Sequence, residues 1–183
     1  MAITLLKTLR PGFLLLSVSV IFLAVATAWY LQGTIDWIKG AQILLCALFG
    51  HISVNCLNEY QDFRSGLDFK TIKIPFSGGS GALPEHPQAA PAVLVMAVVS
   101  LVLCVSLGLY LVNGMGWLAY GMGLLAVTLI LSYTRWLNRM PLACLMAPGT
   151  GFGIVMVTGS IYVLTGRLEL FGLVVSLLPF FLV

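Results

Sequence analysis

The sequence predicts an all-α membrane protein, a multi-helix transmembrane bundle, and three observations carry that prediction. Of 183 residues, 60% are hydrophobic and only 8% charged, against about a quarter charged in soluble domains. The apolar residues fall in repeated long runs, where about 20 residues are needed to cross the hydrocarbon core. These runs are continuous instead of alternating, which argues against a transmembrane barrel. The net charge of +3 gives no reason to expect a nucleic-acid partner, because the basic residues sit between apolar runs and have a topological explanation.

Taken in order, Lys7 and Arg10 precede Pro11 and an apolar run to about Leu31, which ends in the interfacial pair Trp29 and Tyr30. No small-residue cleavage site closes this run, so it reads as a retained helix. Gln32 to Lys39 connects to a second span, from about Gly40 to Leu57. A polar loop over 59–88 follows. Ala89 to Val112 gives a third span and Met115 to Ser132 a fourth, with Asn113-Gly114 short enough only for a helical hairpin. The fifth, Pro141 to Leu164, is interrupted by Pro148, Gly149, Gly151 and Gly153. Such a break stands at membrane depth only where protein or a cavity covers the loosened backbone, so it either kinks toward the interior or lines a substrate. The last run, Leu170 to Val183, has 14 residues, which predicts a chain that stops inside a span and is C-terminally truncated. Residues 1–183 read as a single transmembrane domain.

Counting Lys and Arg by alternate connections sets the orientation. One side receives Lys7, Arg10, Arg64, Lys70, Lys73, Arg135 and Arg139, and the other only Lys39 and Arg167. Seven against two places the N-terminus, the 59–88 loop and the Arg135 to Arg139 turn in the cytoplasm. Two polar connections therefore share one membrane face.

The chemistry gathers in Asn55 to Asp68, which holds three of the six acidic residues. Its first half continues the second span, so Asn58 and Asp62, four residues apart, share a helical face. Gly66 is a stop signal, leaving Asp68 just beyond the helix end and free to turn back toward the same pocket. Hard oxygen donors at the end of a membrane helix suit a magnesium ion that keeps several waters and is shared with a phosphate-bearing substrate. Arg64, Lys70 and Lys73 follow at once.

Asn58-Glu59-Tyr60-Gln61-Asp62, with Gly66 and Asp68 downstream, resembles the first aspartate-rich motif of the UbiA superfamily of intramembrane aromatic prenyltransferases. The Gly-x-Asp ending is closer to the menaquinone branch, which prenylates dihydroxynaphthoate, than to the ubiquinone branch. The resemblance implies Mg²⁺-dependent transfer of a polyprenyl chain from polyprenyl diphosphate to an aromatic acceptor, here 1,4-dihydroxy-2-naphthoate-like, in a bacterial cytoplasmic (inner) membrane. By the same resemblance Asn58 and Asp62 hold the metal and Asp68 is a weaker third member. Arg64, Lys70, Lys73 and Arg139 then stand ready for the diphosphate. Glu59 stands where many relatives have Asp, and Leu137 occupies the lysine position of the family's Tyr-x-x-x-Lys element, here begun by Tyr133. The family bundle has nine helices and a second aspartate-rich motif after the sixth. This chain supplies about six, so its 183-residue form is expected to be inactive or nearly so.

Other residues keep two readings. Asn55 either lines the pocket or bonds between helices, and Tyr133 either orients substrate or is an interfacial aromatic. His51 is read as a packed, hydrogen-bonded histidine before a catalytic one. The loop from Phe76 to Pro84 lacks the Lys-Ser/Thr of a P-loop and is either a lid near the diphosphate or a linker. Cys46, Cys56, Cys104 and Cys144 lack metal-like spacing and are assigned to packing. Two other functions compete with the transferase. One is a small transporter or channel and the other a non-catalytic isoprenoid-binding membrane protein.

Overall fold

The computed structural model describes residues 1–70 and 79–183. They form helices α1 (Ala2–Leu9), α2 (Pro11–Gln32), α3 (Trp37–Ser65), α4 (Ala82–Glu85), α5 (Ala90–Val112) and α6 (Trp117–Tyr133). After these come α7 (Pro141–Gly149), a π-helical stretch (Thr150–Thr158), α8 (Gly159–Thr165) and α9 (Leu170–Leu182). No strand occurs among the described residues. Among the described residues, four stretches are long and apolar enough to cross a membrane: Pro11–Gln32, Trp37–Ser65, Pro87–Val112 and Pro141–Thr165. The fourth and last expected spans are helical but shorter, at 17 and 13 residues. Large apolar side chains such as Phe22, Val102, Leu124 and Leu178 cover the outer surface, the pattern of a helical bundle whose solvent is lipid.

Helix α3 is the longest element, with 29 residues, and packs against α1, α2, α5 and α6. Asp36 caps its start by accepting a hydrogen bond from the Lys39 amide at 2.9 Å. Gly66, at φ 77°, ends it by donating its amide to the Asp62 and Phe63 carbonyls. Residues 59–65 thus belong to α3, and the connection before α5 is shorter than the expected 59–88 loop. Small residues let α3 and α5 approach closely: Cys56, Ala90, Val93 and Ala97 are buried together, and Ser53 Oγ donates to the Ala97 carbonyl at 3.0 Å.

Two features were not foreseen. The N-terminal residues form the separate short helix α1, joined to α2 through Arg10. At φ 51°, Arg10 is the one non-glycine residue with positive φ among those described. The expected break in the fifth span is a run of wide π turns and leaves the helix continuous from Pro141 to Thr165. Pro148 has no amide to give and crowds the carbonyl one turn back, and widening the turn accommodates the mismatch. Two of its glycines serve close approach. A Cβ at Gly149 would run into the Phe180 carbonyl, and one at Gly153 into the Ser176 carbonyl, so α9 lies directly on this segment.

Candidate functional site

Helix α3 carries a polar stripe, His51, Asn55, Asn58 and Asp62, at the spacings that share one face. Asn58 Nδ2 donates to Asp62 Oδ2 at 2.8 Å and reaches Thr134 Oγ1 at 3.3 Å. Thr134 is buried in the connection after α6, so the end of α3 and that connection meet here as side chains in contact. Asn55 donates to the Leu9 carbonyl at 3.0 Å and lines the cavity described below. His51 is buried, with Nδ1 2.7 Å from Ser17 Oγ and its ring edge-on to Phe152.

The residue that organises this end is Glu59, which the sequence reading treats only as a variant position. It is 0% exposed. Its Oε1 lies 2.8 Å from Arg10 Nη2 and 3.0 Å from Nε, while Oε2 accepts from Ser80 Oγ at 2.8 Å and Oε1 from the Ser80 amide. A buried charge pair is tolerable only when its remaining lone pairs and protons are satisfied, and Ser80 satisfies the carboxylate. The network ties the α1–α2 junction to α3 and anchors the return of the chain toward α4. Nearby, Lys7 Nζ reaches Glu85 Oε2 at 3.1 Å. One signal was available in the sequence: Glu59 sits in the register of Ile52, Cys56 and Phe63, which pack in the core, so a carboxylate there had to find a buried cation.

A cavity of about 600 Å³ opens inside the bundle. Arg10, Asn55, Asn58 and Tyr133 line it together with apolar residues such as Ile43, Val54, Met122, Ile130, Phe152 and Val155. The π-helical segment therefore forms one wall. On the outside of the same end, Ser65, Leu67, Lys70 and Arg139 border a shallow groove. Arg64 is exposed near the end of α3. Asp68 lies in a single 3-10 turn, Leu67–Phe69, and is buried. Its carboxylate packs so closely against Gly79 that a Cβ there would collide with it, and it does not border the cavity. Lys73 and the segment 76–78 of the glycine-rich loop lie outside the described residues.

Asn58 and Asp62 offer one amide and one carboxylate to a cation. No group of three or more His, Cys, Asp or Glu assembles as a metal cage among the described residues. That donor set is too sparse for an all-protein site and fits Mg²⁺, which uses one or two carboxylates and completes its shell with waters and substrate phosphates.

The profile of the UbiA prenyltransferase family matches residues 17–183. The chain belongs to the UbiA prenyltransferase family. Among curated UbiA relatives it is similar to 1,4-dihydroxy-2-naphthoate octaprenyltransferase of Bacillus subtilis (strain 168), with 26% identity over 173 residues. The alignment covers 92% of this chain and 53% of that protein, so the chain spans about half the length of the curated relative it matches. No solved structure matches. Membership of the UbiA family leaves the transporter or channel reading without support.

Proposed function

We propose that the protein acts in Mg²⁺-dependent transfer of a polyprenyl group from polyprenyl diphosphate to an aromatic acceptor of the 1,4-dihydroxy-2-naphthoate class, a step of quinone biosynthesis. The observation that carries this reading is the junction of two unlike surfaces: Asn58, bonded to Asp62 at 2.8 Å, lines a cavity that is otherwise largely apolar. The similarity to a dihydroxynaphthoate octaprenyltransferase supports the choice of acceptor.

The reaction breaks an allylic C–O bond, whose electron pair leaves with the diphosphate while positive charge develops on carbon. Asn58 and Asp62 would hold the metal, which supplies positive charge against the leaving group. Lys70 and Arg139, across one groove, complement the same negative charge, with Arg64 and Lys73 nearby in sequence. Arg10, aimed by Glu59, presents a fixed guanidinium at the cavity mouth. Such preorganised charges are effective because they need not reorient as the transition state forms. The apolar wall excludes water from the developing carbocation and accommodates the lipid tail, and Asn55 and Tyr133, which line the same cavity, would contact the acceptor. Asp68 packs against Gly79, just before the chain reaches α4. The clustering of Lys7, Arg10, Lys70 and Arg139 at this end supports a cytoplasmic orientation in a bacterial inner membrane.

The test is equilibrium binding of a non-hydrolysable polyprenyl thiodiphosphate to the chain in detergent, with and without Mg²⁺. Asp62→Ala is expected to weaken Mg²⁺-dependent binding roughly 10- to 100-fold, as loss of a charged ligand contact does. Unaltered binding by a folded Asp62→Ala protein overturns the proposal.

A further inference from the structure

Two of the four cysteines stand apart from the packing role that the sequence gives them all. Cys46 on α3 and Cys104 on α5 face each other with sulfurs 3.9 Å apart, and the Cys46 thiol donates to the Cys104 carbonyl at 3.4 Å. Both line the cavity. Each thiol occupies a notch left by a glycine of the opposite helix. A Cβ at Gly50 would lie 3.3 Å from Cys104 Sγ, and one at Gly108 3.7 Å from Cys46 Sγ. Since Gly50 follows Cys46 by four residues and Gly108 follows Cys104 by four, the arrangement is reciprocal: one turn of each helix offers a thiol and a recess for its partner's thiol. Cys56 is buried in the other α3–α5 cluster, and Cys144 lies on α7.

We infer that Cys46 and Cys104 are a redox-active dithiol that closes to an intramolecular disulfide, with a lipid-soluble quinone as its oxidant. The sulfurs need only approach by about 2 Å to reach the S–S bond length of about 2.05 Å, and thiol side chains cover such distances by rotation about χ1. In the step two S–H bonds break and one S–S bond forms. Two electrons and two protons pass to the quinone, which leaves as hydroquinone, so no other reactant is needed. The oxidant class follows from location. Both residues lie within membrane-crossing helices beside an apolar cavity, roughly 18 Å along α3 from Asn58 at 1.5 Å per residue, where a water-soluble oxidant is poorly delivered. The product would pin α3 to α5 across one wall of the cavity. This inference stands independently of the proposed reaction.

The test counts free thiols in the full chain in phospholipid vesicles exposed to tetramethyl-1,4-benzoquinone, whose substituted ring has no open carbon for thiol addition. After denaturation, remaining thiols are tagged with a polyethylene glycol maleimide and resolved by gel shift. The wild-type chain, with four free cysteines, is expected to show two tags after oxidation and four after dithiothreitol. Cys46→Ser and Cys104→Ser should each keep three tags under oxidation, while Cys56→Ser and Cys144→Ser should each fall to one. Four tags in the oxidised wild type, loss of thiols in Cys46→Ser, or a cross-linked dimer would overturn the inference. Closure by diamide without closure by the quinone would overturn the oxidant assignment.

Discussion

Replacing Glu59 by alanine is the sharpest perturbation of the polar end of the bundle. The substitution removes the carboxylate paired with Arg10 and the acceptor for both the Ser80 amide and the Ser80 hydroxyl. Breaking a buried ion pair by deleting one partner costs about 3 to 5 kcal/mol. The Arg10 side chain keeps 17% of its exposure and gains some hydration, which sets the expectation at the lower end, about 3 kcal/mol. Glu59→Gln retains an acceptor oxygen and nearly the same volume, so its cost should be roughly 1 to 2 kcal/mol, near the gap between charged and neutral hydrogen bonds. The assay is reversible unfolding in mixed micelles by sodium dodecyl sulfate titration, run on both variants and on Arg10→Gln with and without Glu59→Gln. The double-mutant cycle should return a coupling of about 1 to 3 kcal/mol. A Glu59→Ala protein within about 0.5 kcal/mol of wild type, or a coupling near zero, would refute the view that this carboxylate holds the junction together.

Two further outcomes follow from the packing and the groove. Gly153→Ala should lose about 1 to 3 kcal/mol in the same titration, since its Cβ would press on the Ser176 carbonyl and Phe180, whereas Gly151→Ala, with nothing within 4 Å, should stay within about 0.5 kcal/mol. Lys70→Gln and Arg139→Gln should each weaken binding of the thiodiphosphate analogue roughly 3- to 10-fold, the effect fading as salt rises because both side chains are exposed, and thermal unfolding should be unchanged.

Much of the architecture was legible in the sequence because lipid imposes a simple rule: every backbone polar group must be satisfied within its own segment. Long apolar runs therefore announce helices, and Gly66 announced the end of α3. The Asn58–Asp62 pair was legible for the same reason, since a spacing of four fixes adjacency on one helix without knowledge of the fold. Contacts between distant segments were less so. Nothing local in Arg10 says that it faces Glu59, and nothing local in Ser80 says that it closes the same network. The burial of Glu59 depends on α1 folding back onto α3, which only tertiary packing decides. The π turns were half legible: Pro148 and the glycines marked an irregular span, but whether a helix kinks or widens depends on α9 lying against Gly149 and Gly153. The Cys46–Cys104 approach was invisible for the same reason, since the two residues lie 58 positions apart.

The central claim is that the polar end grips a metal-bound diphosphate while the prenyl tail lies within the cavity. A polyprenyl diphosphate with a photoreactive group at the tail end tests it directly, with the labelled residues mapped by mass spectrometry. The account predicts Mg²⁺-dependent labelling of the cavity wall, at residues such as Val54, Phe152 and Val155, abolished in Asp62→Ala. Labelling confined to the outer apolar surface, at residues such as Val102 or Leu178, or labelling of the cavity that ignores Mg²⁺, would contradict it.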